Sequence, residues 1–201
     1  EKQLDFRLYA ENIQERRPEF LVLNPAGEIP VLVESDGTVI TGSNAITEFF
    51  DEVYPTPALI GNQAEIRAEV RRLIRWFDYK FYREVTKNIV GQKMLKRYLG
   101  QGGPGGAAVR AGHKNIHHHL DYIGYLIERR RWLAGDDFSL ADISAAAHLS
   151  LIDYLGDVPW AEHAEAKDWY ARIKSRPSFQ PILEDRIPGT PPYKQYANLD
   201  F

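Results

Sequence analysis

The chain has 201 residues, 44% hydrophobic and 26% charged, which allows a packed core of one large or two small domains under an ordinary polar surface. A formal net charge of -3 gives no electrostatic case for nucleic acid or an anionic membrane as the main partner. With no cysteine, these residues exclude disulfides, thiolate metal sites and cysteine nucleophiles, and with no apolar run near the ~18 residues of a membrane span and no signal-peptide pattern, a reduced, cytoplasmic setting is expected.

Leu4 to Leu8 alternates apolar and polar residues, as a half-exposed strand does. Glu15 to Leu23 predicts a short helix that Asn24-Pro25 stops. Val31 to Glu34 and Thr38 to Ile40 flank Ser35-Asp36-Gly37 and read as an antiparallel hairpin. A helix follows from Ser43 to about Val53, with Ile46, Phe49, Phe50 and Val53 on one stripe. Tyr54-Pro55-Thr56-Pro57 is a stiff connection and the predicted boundary. Beyond it Ile66, Val70, Leu73, Ile74, Phe77, Phe81 and Val85 recur at three- and four-residue steps, so one long amphipathic helix starts near Gln63. Gly-rich 101–106 is a loose turn, and Ile116, Leu120, Ile123, Leu126 and Ile127 make the next stripe. Leu140 to Leu155 is almost wholly apolar and belongs inside a bundle. Trp169, Tyr170 and Ile173 mark a further helix, and from Pro188 the chain loses period and becomes an extended tail. The predicted division is 1–54, a linker at 55–62, a helical part at 63–187 and the tail at 188–201.

Several short patterns bear chemistry. Proline cannot donate to a ladder, so Ile29-Pro30 at the head of an apolar run points to a special backbone geometry, a cis bond. That geometry would turn the Ile29 main chain outward to pair with an extended peptide. Ser43 would open a helix whose amides and dipole suit a carboxylate. Together they would cradle a small anionic peptide-like ligand; separately they read as a strand-start proline and an N-cap serine, and both readings stay open. Ser139 and Asp142 in "SLAD" form a predicted capping box, with Phe138 stapled against Ile143. His117, His118 and His119 point about 100° apart on a helix and cannot share one ion, so a solvated face is expected and no metal. Arg129 to Arg131 match the negative end of a helix. Trp76, Tyr79 and Tyr82 leave the apolar stripe and suit a cleft, a subunit contact or domain packing.

"NPAGEIPVL", "VITGSNAITEFFDEVYP", "WLAGDDFSLADISAAAHLSLIDYLGDVPW" and "YARIKSRPSF" together resemble the cytosolic glutathione S-transferase superfamily over nearly the whole chain. The resemblance implies an α/β thioredoxin-like N-terminal domain followed by an all-α domain, in a homodimer. It implies glutathione as ligand or co-substrate, bound by the main chain of Ile29 before Pro30, by Ser43 and by the helix beneath it. Gly42 stands where the family carries Glu or Gln for the glutathione amino group, and Asn44 is the candidate to compensate. The family's first strand and first helix have no counterpart, so the thiol-activating residue is unknown and expected in a preceding segment of a longer natural protein. The tail "DRIPGTPPYKQYANLDF" resembles that of transferase-like proteins of alphaproteobacteria that bind the tubulin homologue FtsZ in cell division. Tyr196, Leu199, Asp200 and Phe201 are the implied partner contacts; the other reading, that the tail folds back on its own domain, stays open. Two readings follow, an FtsZ-binding regulator without strong transferase activity or an active transferase conjugating glutathione to small electrophiles, and a third, glutathione binding without turnover, joins them.

Overall fold

Proline restricts the residue before it to extended backbone, and that sets where the first helix begins. In the computed structural model, which describes residues 1–199, Arg17 is extended at ψ 132° and helix α1 spans Pro18–Leu23. The expected start at Glu15 is thus too early. Residues 4–8 form no strand; Phe6 and Leu8 are 80% and 88% exposed. Alternation marks a face, but a strand exists only where a neighbour pairs with it.

The hairpin is present. Strands β1 (Val31–Val33) and β2 (Val39–Thr41) pair antiparallel in a two-stranded sheet, with Leu32 opposite Ile40. Asp36 tightens its turn by accepting the Thr38 amide at 2.9 Å, and Gly37 supplies the positive φ of 88°. Helix α2 (Ser43–Val53) buries Ile46 as expected, but Val53 is exposed and Asp51 is buried in its place. Asp51 accepts the Leu59 and Ile60 amides at 2.8 and 3.1 Å and pairs with Lys2 at 2.8 Å. The segment that reads as a linker is therefore fastened down, with Leu59 and Ile60 buried and a cis bond at Thr56-Pro57.

Two compact units result, one of residues Glu1–Ile60 and one from Gly61 onward. The second is all helical. Its first helix runs through residues 64–98, opening as α3 (Ala64–Arg75), loosening into π-helical turns over Trp76–Thr86, and returning to α geometry in α4 (Lys87–Val90). A second π-helical stretch, Gly91–Leu95, leads into α5 (Lys96–Tyr98). Apolar spacing predicts the continuous helix but does not distinguish bonding to the fourth residue from bonding to the fifth. Helix α6 (Gly106–Ile127) returns alongside, and α7 (Leu140–Tyr154) lies inside with Ala145, Ala146, Leu149 and Ile152 fully buried. Helices α8 (Ala164–Lys174) and α9 (Gln180–Glu184) close the unit. The capping box is formed: Ser139 Oγ accepts the Ala141 amide, and Asp142 accepts the Ser139 amide at 3.1 Å. Asp142 also receives the Leu133 amide and the Trp169 indole, at 3.0 and 2.9 Å. Phe138 stands edge-on to Trp132 at 4.9 Å and under the Arg176 guanidinium at 3.9 Å, the partners its ring finds in this fold.

Candidate functional site

The Ile29-Pro30 bond is cis, and Ile29 is 57% exposed. Among the described residues no backbone hydrogen bond takes up the Ile29 amide, whereas the next carbonyl, that of Pro30, accepts the Gly42 amide at 3.1 Å. That bond ties the β1 entry to the start of α2, so Ile29, Pro30, Ser43 and Asn44 share one exposed corner of the N-terminal unit. Gly42 caps α2 with a φ of 87° and offers no side chain to the first-turn amides. A β-carbon there would meet nothing within 4 Å, so backbone conformation rather than crowding favours glycine. The corner offers main-chain groups and a helix N-terminus to an anionic, extended ligand, which fits a peptide carboxylate.

Asn24, expected from its place before Pro25 only to stop a helix, positions this corner. It is buried, donates to the Glu28 carbonyl at 2.7 Å, and accepts the Ala26 amide at 3.2 Å. The loop preceding Ile29 is held from inside by these bonds. Asparagine before proline after a helix is the available signal for such a turn.

The three adjacent histidines diverge as helical geometry requires, and the described residues contain no group able to hold a metal. The expected solvated face is wrong for His119, which is fully buried. Its Nδ1 accepts the Trp76 indole N–H at 3.0 Å and its Nε2 meets Glu84 Oε2 at 3.0 Å. Burial pushes its pKa down to about 4 although Glu84 pulls the other way. His117 pairs with His163 at 2.9 Å, and the His118 ring lies 6.2 Å from that of Trp76. Of the arginine run, Arg129 donates to the Tyr125 carbonyl at 2.8 Å, as a C-terminal charge match does. Arg130 instead reaches Glu69, at 2.7 Å. Trp76 packs against Tyr122 at 4.5 Å, while Tyr79 and Tyr82 remain exposed.

The tail is strapped to its own unit as far as Tyr196. The Tyr154 hydroxyl donates to the Thr190 carbonyl at 2.7 Å and accepts the Ile187 amide at 3.0 Å. The Tyr193 amide donates to the Tyr154 carbonyl at 2.7 Å, and the Tyr193 ring lies 2.8 Å from where a β-carbon on Gly156 would stand. Tyr196 is 3% exposed, with its hydroxyl 2.7 Å from Ser150 Oγ and its ring edge-on to Tyr154. Expected as a partner contact, it sits inside the unit because an aromatic ring with a hydroxyl partner gains more from burial than from water. Beneath it, buried Lys174 lies 3.6 Å from Asp153, and burial lowers the pKa of the amine and raises that of the acid. Leu199 is half-buried, and Asp200 and Phe201 lie outside the described residues.

The family models for the glutathione S-transferase N-terminal domain and C-terminal domain match residues 1–53 and 106–172. With the relatives below, the chain belongs to the glutathione S-transferase family. It is 48% identical to the FtsZ-localized protein A of Caulobacter vibrioides, over 100% of this chain and 90% of that one. A crystal structure of a glutathione S-transferase from Rhodospirillum rubrum F11 superposes with a TM-score of 0.97 at 56% identity, over 100% of this chain and 90% of that one. The structure of FzlA from C. crescentus does so at 0.95 and 48%, with the same coverage.

Proposed function

We propose that this chain is an FzlA-like regulator of bacterial cell division, a cytoplasmic homodimer that binds FtsZ filaments and has no strong transferase activity. The observation that carries this reading is 48% identity, over all of this chain and 90% of the relative, to a protein named for its localisation with FtsZ. Gly42 supports it, because the corner lacks a side chain to receive the glutathione amino group. On this reading the docking contacts are Leu199, Asp200 and Phe201, and Tyr196 is a buried peg of the strap that precedes them.

Cosedimentation with FtsZ polymers tests it. The wild-type chain pellets with polymer, and Asp200→Lys lowers the pelleted fraction to background. Pelleting that survives this charge reversal removes Asp200 as a contact. A wild-type chain that stays in the supernatant removes the division reading.

The second reading, an active transferase, is favoured by the 56% identity to a structure described as a glutathione S-transferase and by the exposed main chain of Ile29. In it the Ile29 backbone, Pro30 and Ser43 bind glutathione, with Asn44 beside the amino group. Retention on immobilised glutathione together with conjugation of an aromatic electrophile would establish it. Ser43→Ala then weakens retention by roughly tenfold, the effect of one charge-assisted hydrogen bond; unchanged retention removes Ser43 from the site.

A further inference from the structure

Residues 67–97 contain ten lysines and arginines against three acids, in a chain whose totals are 25 against 28. All three acids are engaged within their own unit. Glu69 pairs with Arg72 and Arg130, both at 2.7 Å, Asp78 accepts the Ser144 hydroxyl at 2.5 Å, and Glu84 binds Lys80 and His119. What remains toward solvent is cationic. Arg75, Arg83 and Lys87 follow at four-residue steps with Tyr79 between the arginines, all four exposed, and among the described residues none of the three cations has an ion pair. The Arg75 and Arg83 guanidiniums lie 4.5 and 5.2 Å from the Tyr79 ring centre, and Arg83 also donates to the Tyr79 hydroxyl at 3.1 Å. Tyr79 and Tyr82 are 47% and 43% exposed.

We infer that this arginine–tyrosine face docks an acidic polypeptide segment. Two guanidiniums steadied on one ring lose less rotamer freedom on binding, and each keeps N–H groups that fork onto a carboxylate. The tyrosines add amphipathic area suited to a peptide backbone and its apolar side chains. The rest of the chain carries 15 basic residues against 25 acids, so an extended polyanion such as a duplex or an anionic bilayer meets repulsion beyond this face. A short acidic segment lying along one helix avoids it. The inference does not depend on which partner the tail takes.

Fluorescence anisotropy with a fluorescein-labelled peptide of about ten alternating Glu and Asp residues tests it on the full chain, since steered charge pairing of this kind is readable at low salt. The wild type binds, and the pair Arg75→Gln, Arg83→Gln weakens binding by roughly tenfold or more, as loss of two charge-assisted contacts requires. Tyr79→Leu weakens it about threefold through loss of the stacked platform. The pair Lys96→Gln, Arg97→Gln removes equal charge from the same helix and changes affinity by less than about twofold if the face is specific. Equal losses in the two double variants, or no binding by the wild type, overturn the inference. So does tighter binding of an oligonucleotide of equal charge, or a fall in sedimenting mass on Arg75→Gln, Arg83→Gln, which would assign the face to contacts between copies of this chain.

Discussion

His119 is the residue whose chemistry most depends on where it lies. A neutral imidazole that accepts from Trp76 and meets Glu84 in a dry site cannot take up a proton cheaply, and its pKa falls to about 4. In the unfolded chain the same ring titrates near its ordinary value of 6.5. Between these values the unfolded state binds the extra proton, so stability is lost as pH falls from about 6.5 toward 4 and the loss stops growing below that. At ~1.4 kcal/mol per pK unit the cost reaches about 3 kcal/mol. His119→Gln keeps an acceptor and a donor but no titration. Urea unfolding of the wild type should therefore lose about 3 kcal/mol more than this variant between pH 7 and pH 4. Parallel pH slopes in the two proteins would mean that His119 is not buried neutral. A lower window belongs to Glu69, held at about 2 by the Arg72 hydrogen bond, against its burial and with help from Arg130. Its contribution is present above 4.5 and lost only as pH falls toward 2, so the two groups separate in one titration.

At the scale of elements, the tightest constraint falls where two helices touch. A β-carbon on Gly112 of α6 would stand 2.6 Å from Ile89 Cγ1 and 3.1 Å from Asn88 Cβ on α4. Alanine in place of glycine within a helix ordinarily stabilises by ~1 kcal/mol. Here Gly112→Ala should instead destabilise by about 1–3 kcal/mol, the cost of forcing a methyl into a packed seam, read as a lower urea midpoint at unchanged slope. A gain in stability would contradict the close approach of α4 and α6. Elements whose cause is local were legible in the sequence. Ser139 and Asp142 specify their cap within four residues, and Asp36-Gly37 specifies the hairpin turn. Elements whose cause is distant were not. The π-helical turns over Trp76–Thr86 involve aromatic residues that meet His119 and Tyr122 on another helix, and Asp51 is buried by amides eight and nine residues away. The same division holds at the candidate corner: the Ile29-Pro30 geometry and the α2 start are written in adjacent residues, whereas the support from Asn24 is visible only once the loop is closed.

At the scale of the whole molecule, the chain after α9 is held down as a strap. The strap hydrogen bonds run from Ile187 through Thr190 and Tyr193 to Tyr196, all of them made with Ser150 or Tyr154 in the C-terminal half of α7. Gly156 belongs to the same device, since with φ at 72° and the Tyr193 ring against it no larger residue fits without displacing the strap. The strap thus runs as far as Tyr196, a boundary that composition alone does not reveal because both tail tyrosines, Tyr193 and Tyr196, follow the tail prolines and look alike in the sequence. If Tyr196 is a structural peg, Tyr196→Ala empties a buried aromatic site and costs about 3–5 kcal/mol, lowering the melting temperature by roughly 10 °C. Tyr196→Phe keeps the ring and loses the hydroxyl's short bond to Ser150 and its long, weak one to the Ile182 carbonyl, about 1 kcal/mol and a few degrees. Removing Asp200 and Phe201 should leave the melting temperature within about 2 °C of the wild type, because the strap that anchors the tail is intact. Thermal unfolding followed by far-ultraviolet circular dichroism orders the three. A melting temperature as low for the truncated chain as for Tyr196→Ala would mean that the last two residues contribute as much to stability as the buried Tyr196 ring.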